Sequence, residues 1–495
     1  MIRILIKPLM PYLERILLCC IVGAIGVHLQ GCGGPPLKPW HTERLTAEFT
    51  TKKKSEIQTF DDYRQLEDTL FAQLEEKIYN QTGTGPGYEL VRYSSGSSAD
   101  PQHRRPNWNR SFELPTDEPA GGVLLLHGMS DSPYSLRALG EVLNKSQYWV
   151  IGPRLPGHGT APSGLKSITW EDMAAVVGLG VRHLAAKVGN KPIHIIGYST
   201  GAPLALNFAL DALEGKVSPL PASLVLISPA IGVHPMAGLA GFKNGLARIP
   251  GLGRLAWLSI LPEFDPYKYN SFATNAGSQV HRITRSVAGR IVDRSRVGSL
   301  EKFPPTLVFK STVDATVSTH AVVDRLLNLL GPSGHELILF DINRVAAAAP
   351  MLISDPGSLT SQLLADDTLP FTLTVITNEN PKSIQVTAHS KDPFAADVSE
   401  TAPLGLAWPP GVISLSHVAL PFPPDDPLYG QQPPDNSDAI FLGQMAIKGE
   451  RGLLKISYDW LLRLRNNPFF DFLERRTQEW LNRNGERVSP PGNHE

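Results

Sequence analysis

Between residues 121 and 340, short apolar runs alternate with stretches of helical periodicity, and this alternation constrains the chain more than any other feature. The runs at 123–126, 149–151, 193–196, 224–227, 307–309 and 337–340 lack the in-out alternation of a half-exposed strand, so each reads as a strand buried on both faces. Helical periods at 136–143, 170–188, 202–213 and 321–330 lie between them. That order predicts an α/β fold, a mostly parallel sheet with helices on both faces. Two intervals break the rhythm, about 230–299 and 342–413. Connections in such units usually run to roughly 2–6 residues, so both intervals are insertions with structure of their own.

The first interval contains an apolar stretch at 238–261 with Lys243, Arg248 and Arg254 spaced along it, which reads as a cap over a site; a helix at a membrane interface is the alternative. The second holds strand-like segments at 371–376 and 384–388, and the sequence offers no function for it. Ahead of the core, Tyr63, Leu66, Leu70, Leu74 and Ile78 recur at helical spacing and predict one amphipathic helix over 60–79, followed by a polar loop at 94–110. A last helical pattern covers 469–481, with Trp480 on its apolar face. The formal net charge is −1 with 19% charged residues, so there is no basic excess of the kind that tracks phosphates, which argues against a nucleic-acid partner.

At the N-terminus, Arg3, Lys7 and Arg15 precede an apolar run at 16–29 that is too short to span a bilayer and has the form of a secretory signal. The run ends in Leu29-Gln30-Gly31-Cys32, which resembles the lipobox of bacterial lipoproteins and implies lipidation of Cys32; an ordinary signal peptide or a retained anchor is the alternative. Gly33 in place of Asp resembles the outer-membrane class, so the expected location is the bacterial cell envelope, anchored by lipid and facing the periplasm. The cysteines are Cys19, Cys20 and Cys32, so a chain processed at Cys32 forms no internal disulfide. The expected division is a signal segment at 1–31, a tether and helical extension at 32–115, and an α/β core at 116–341. An insertion at 342–413 and a segment at 414–495 complete it.

Gly197-Tyr198-Ser199-Thr200-Gly201 fits the G-x-S-x-G nucleophile elbow, and it sits between the apolar run 193–196 and the helical period 202–213, the strand-turn-helix setting such an elbow requires. Ser199 is therefore the candidate nucleophile. A serine hydroxyl needs a base within hydrogen-bond reach and a carboxylate to hold that base's tautomer. In elbow-type sites the chain order is Ser, acid, His. Asp314, in a loop after the strand 307–309, is the candidate acid, with Asp341 and Asp293 as rivals. Of the later histidines His320, His335, His389, His417 and His494, His417 is the best placed base, although a long stretch of chain must return it to the sheet edge. The turn Leu126-His127-Gly128-Met129 offers the backbone N–H of Met129, with that of Thr200, as oxyanion donors. His127 reads as a scaffold for this turn, and His158 in Arg154-Leu155-Pro156-Gly157-His158-Gly159 as a loop-orienting residue. With no H-E-x-x-H, no paired Cys/His spacing and no strand followed by G-x-G-x-x-G, neither a metal nor a cofactor is expected.

Taken together, His127-Gly128, Pro156-Gly157-His158-Gly159, the elbow at 197–201, Asp314 and His417 resemble the α/β-hydrolase superfamily, in the branch of carboxylesterases, monoacylglycerol lipases and the serine aminopeptidase domain. The likeness covers about 121–340 and the His417 loop. It implies an acyl-serine mechanism under a cap that follows the strand 224–227. The family's His follows the last strand closely, whereas here a long segment intervenes, and 60–110 has no counterpart in it. The expectation is an envelope serine hydrolase acting on small-molecule or lipid esters. An aminopeptidase-like peptidase, a thioesterase or acyltransferase, and a non-catalytic binding lipoprotein on the same scaffold stay open.

Overall fold

All six apolar runs are strands of one sheet, and that sheet is larger than the sequence suggests. The structure, a computed structural model, describes residues 35–232, 253–314, 317–345, 355–435, 440–443 and 464–486. The signal segment with Cys32, most of the apolar stretch at 238–261, and His494 lie outside the described residues. Residues 1–38 and 39–495 are two units, and 35–38 have no regular structure.

In chain order the sheet strands are β1 (Phe112–Leu114), β2 (Gly121–Leu126), β3 (Tyr148–Gly152), β4 (Ile193–Tyr198), β5 (Ser223–Ile227), β6 (Thr306–Ser311), β7 (Glu336–Phe340), β8 (Thr372–Asn378), β9 (Gln385–Lys391) and β10 (Glu400–Ala407). Their spatial order is β1-β3-β2-β4-β5-β6-β7-β8-β9-β10. Pairing is parallel from β3 through β8 and antiparallel at both edges. The main helices are α1 (Phe60–Lys77), α2 (Tyr134–Lys145), α3 (Trp170–Val188), α4 (Gly201–Leu213), α5 (Thr274–Arg296), α6 (Gly357–Ala365) and α7 (Phe470–Glu486). Successive strand side chains point to opposite faces. Leu125 accordingly packs on α2 at Gly140, and Leu124 packs on α3 at Gly180. The α2 face, which also carries α7, holds a continuous core running from Leu136 and Leu139 to Phe469, Phe472 and Trp480.

The interval 342–413 differs from the expected insertion. Its strand β8 continues the central sheet, pairing in parallel with β7 from Thr372↔Glu336 to Ile376↔Phe340, and β9 and β10 follow as an antiparallel meander. Burial explains it, since Leu373, Val375 and Ile376 are covered while the edge strand β10, with Pro403 and Gly405, is largely exposed and carries little apolar pattern. In the cap interval, 257–259 is a short strand paired with 272–273 rather than helix, and α5 follows it. The period at 321–330 is helical but interrupted by a π-turn at Val323–Leu327.

The segment before the core belongs to the same unit as the sheet. α1 begins at a capping box in which the Thr59 hydroxyl accepts from Asp62 N–H and the Asp62 carboxylate accepts from Thr59 N–H. Its buried Tyr63 donates to Arg154 O at 2.5 Å, directly after β3. Among the described residues, no helix is long and apolar enough to cross a membrane.

Candidate active site

Parallel strands place their carboxyl ends on one edge of the sheet, where loops from several of them converge. β4 ends there in the elbow. Ser199 has φ +51°, a left-handed conformation that a side chain adopts only under constraint. Its backbone is pinned on both sides, since Ser199 N–H donates to Ile227 O at 2.9 Å and Ser199 O accepts from Ala230 N–H at 3.1 Å. The flanking glycines are there for space. A Cβ on Gly197 would lie 2.5 Å from Gly201 O, and one on Gly201 would lie 2.0 Å from Leu126 O.

The partners arrive from two distant parts of the chain. Asp314 follows β6. His417, 103 residues later, is carried on a strap that returns from β10 across the carboxyl ends of β6 and β7. Hydrogen bonds from the ends of β6 and β7 tie the strap down: Asn343 N–H to Ile413 O (2.7 Å), Asn343 Nδ2 to Val412 O (2.8 Å) and Ser311 Oγ to Leu415 O (2.9 Å). His417 Nδ1 then lies 2.9 Å from Asp314 Oδ2, and Nε2 lies 3.0 Å from Ser199 Oγ. A carboxylate only accepts, so Nδ1 carries the hydrogen and Nε2 is left to accept from the serine hydroxyl.

Asp314 is buried, which by itself raises a carboxyl's pKa. The hydrogen bond and charge of His417 and the cation of Lys310 outweigh burial and hold it well below the usual carboxylate range. Lys310 Nζ meets Asp314 Oδ2, the same oxygen that His417 uses, at 3.0 Å, and Val317 N–H donates to Oδ1 at 3.1 Å.

The turn after β2 lies against the nucleophile, because a Cβ on Gly128 would sit 3.1 Å from Ser199 Cβ. Met129 and Thr200 thus flank Ser199 from two segments, and neither backbone N–H donates to an acceptor among the described residues. His127 is fully buried. Its Nδ1 donates to Gly128 O at 2.9 Å and its Nε2 accepts from Leu155 N–H at 3.0 Å, while burial and neighbouring His158 keep it neutral, well below its ordinary pKa. His158 bonds Pro156 O and is lowered to about 4 by burial. Both are built into the turns that border the site.

The rivals are placed elsewhere. Asp341 is engaged by Arg344 at 2.8 and 2.9 Å, and Asp293 is exposed near Arg296. His320 is exposed, His335 accepts from Thr306 N–H at the opposite edge of the sheet, and His389 on β9 bonds Thr401 on β10. Two features escaped the sequence reading. One is Lys310, a charge inside a strand buried on both faces, which is itself the signal that could have flagged it. The other is Glu48, whose carboxylate grips the buried Arg154 guanidinium at 2.9 and 3.0 Å and accepts from Gly157 N–H at 2.8 Å. The extension before the core thereby braces the turn that in turn holds His127. Among the described residues, no group of three or more His, Cys, Asp or Glu side chains converges as a metal site.

Comparison with known proteins gives a family and partial relatives. Residues 123–351 match the Alpha/beta hydrolase family. A thermostable monoacylglycerol lipase from Bacillus sp. (strain H-257) is 39% identical over 124 residues, 25% of this chain and 46% of that protein. The magnesium-chelatase 30 kDa subunit of Rhodobacter capsulatus is 34% identical over 138 residues, 28% of this chain and 44% of that protein. The chain thus spans less than half the length of these curated relatives. Among solved structures, the monoacylglycerol lipase of Paleococcus ferrophilus is 20% identical with a TM-score of 0.36, covering 47% of this chain and 88% of its own.

Proposed function

We propose that this chain, whose residues 123–351 match the Alpha/beta hydrolase family, is a serine hydrolase that cleaves carboxylic esters of lipids or small molecules through an acyl-serine intermediate. The observation that carries the reading is the single imidazole of His417, bonded at one nitrogen to Ser199 Oγ and at the other to Asp314 Oδ2.

In this mechanism His417 Nε2 takes the Ser199 hydroxyl proton as Oγ attacks the ester carbonyl carbon. The carbonyl π-electrons move onto oxygen, and the N–H groups of Met129 and Thr200 receive that oxyanion. Asp314 stabilises the imidazolium and holds its orientation. As the tetrahedral intermediate collapses, the C–O bond to the leaving alcohol breaks and His417 delivers the proton to it. Water then repeats the sequence on the acyl-serine, with His417 taking the water's proton and returning it to Ser199 Oγ, and the carboxylic acid leaves. The ester class is supported by the lipase relative and by the apolar segment after β5. The envelope location and the lipid anchor at Cys32 rest on the N-terminal sequence pattern.

The test is hydrolysis of p-nitrophenyl esters of graded chain length by the full chain in detergent, beside Ser199→Ala, Asp314→Asn and His417→Ala. Activity in the wild type and its loss in all three folded variants is the expected result. A folded wild type that hydrolyses none of the esters and ignores a fluorophosphonate probe would overturn the reading and leave a binding role on the hydrolase scaffold.

A further inference from the structure

We propose that Lys310 is a positioning residue for this reaction, a buried cation that fixes the Asp314 carboxylate and, by sharing its Oδ2 oxygen with His417, holds the imidazole in line with Ser199. The inference rests on the serine-hydrolase reading and concerns a group that the mechanism above does not use.

A lysine inside a strand covered on both faces is costly, and buried charges persist in proteins when they are paired. The Lys310 side chain is 0% exposed, as is that of Asp314. Nζ donates to Asp314 Oδ2 at 3.0 Å and to Val317 O at 2.7 Å. Val317 N–H in turn donates to Asp314 Oδ1. The acid loop is thus closed on itself through the ammonium, and the carboxylate is held in the plane that meets His417. Burial lowers the lysine's own pKa and the Asp314 charge opposes that fall.

Asp314 Oδ2 receives His417 Nδ1–H at 2.9 Å and the ammonium at 3.0 Å. The shared oxygen thus ties the orientation of the imidazole to the position of the ammonium. The other groups facing this pair are Tyr198, whose ring lies 5.6 Å from the His417 ring, and, acting on Tyr198, Asp131 and Arg465. Asp131 is paired with Lys268 at 2.5 Å, and Lys310 contacts the acid directly.

The decisive measurement is the rate of Ser199 labelling by a fluorophosphonate, beside kcat and KM for ester hydrolysis, for the full chain and for Lys310→Met and Lys310→Gln. Labelling and kcat should fall by roughly 10- to 100-fold in Lys310→Met with KM little changed, because the carboxylate loses the group that fixes it. Lys310→Gln should keep the larger rate, since its amide can still donate to the loop. Folded variants that label at the wild-type rate, or that raise KM and leave kcat unchanged, would overturn the proposal. If Lys310→Met does not fold, Lys310→Gln decides alone. A wild type that is not labelled would sink the hydrolase reading together with this one, whereas a labelled wild type with unslowed variants would sink only the role of Lys310.

Discussion

Alanine at Gly201 and alanine at Gly289 are the same chemical change in two helices, and the structure gives them opposite signs. At Gly201, the first residue of α4, the new Cβ falls 2.0 Å from Leu126 O and 2.6 Å from Leu126 C. Carbon–oxygen contacts settle near roughly 3.3 Å, so the elbow and the end of β2 must separate by about 1 Å or more. Both partners are backbone, so no rotamer change relieves the clash. Leu126 leads directly into the turn that presents Met129, and misplacing a catalytic group by about 1 Å is worth on the order of 100-fold in rate. The strain itself should destabilise by about 2–3 kcal/mol. Gly289 lies on the exposed face of α5 with nothing within 4 Å of its Cβ position. There the only effect is relief of glycine's conformational entropy, a gain of about 0.5–1 kcal/mol. The assays are kcat on the best p-nitrophenyl ester and the urea midpoint at constant slope. Expected are a large loss of kcat and midpoint for Gly201→Ala, and unchanged kcat with a higher midpoint for Gly289→Ala. A Gly201→Ala protein with wild-type kcat and midpoint would refute the claim that this close approach shapes the site.

Three further expectations follow from the same geometry. Glu48→Gln removes the carboxylate that grips the buried Arg154 from one side, leaving Glu67 at 3.4 Å as its acidic partner, and should destabilise by about 1–3 kcal/mol while lowering kcat, read by denaturation and ester hydrolysis together. Asn343→Ala removes the side-chain tie to the strap that carries His417, and kcat should fall several-fold with KM little changed if the strap positions the base. Burial lowers His158 to about 4, His194 to about 3 and His335 to about 4, so the unfolded chain takes up their protons first, near pH 6.5. Stability is complete above that pH and should drop by about 4 kcal/mol per pH unit around pH 5 from these three groups, with His194→Gln flattening the urea-midpoint profile by about a third.

The site was legible where its signal is local. An elbow needs two glycines around a serine between a strand and a helix, and Gly197 to Gly201 state that requirement in five letters. Asp314 was legible because it follows a buried strand on the catalytic edge. His417 could be chosen among five histidines only by its surroundings in sequence, and nothing in the sequence explained how it crosses 103 residues to reach Asp314. Lys310 was missed because the apolar run stops at Phe309 while the strand continues to Ser311. Strand β10 was missed because an exposed edge needs no apolar pattern.

Apolar periodicity fixes which segments become strands and helices, since each element must bury one face or both wherever it ends up, and this was sufficient for the α/β class and the core strands. Sheet neighbours and loop convergence depend instead on hydrogen bonds between segments far apart in the chain, which leave no periodic trace. That is why only the tertiary structure turned the interval 342–413 from an insertion into three strands of the central sheet. The same wider sheet provides the edge from which the strap at 412–417 runs back over β6 and β7 to set His417 between Asp314 and Ser199.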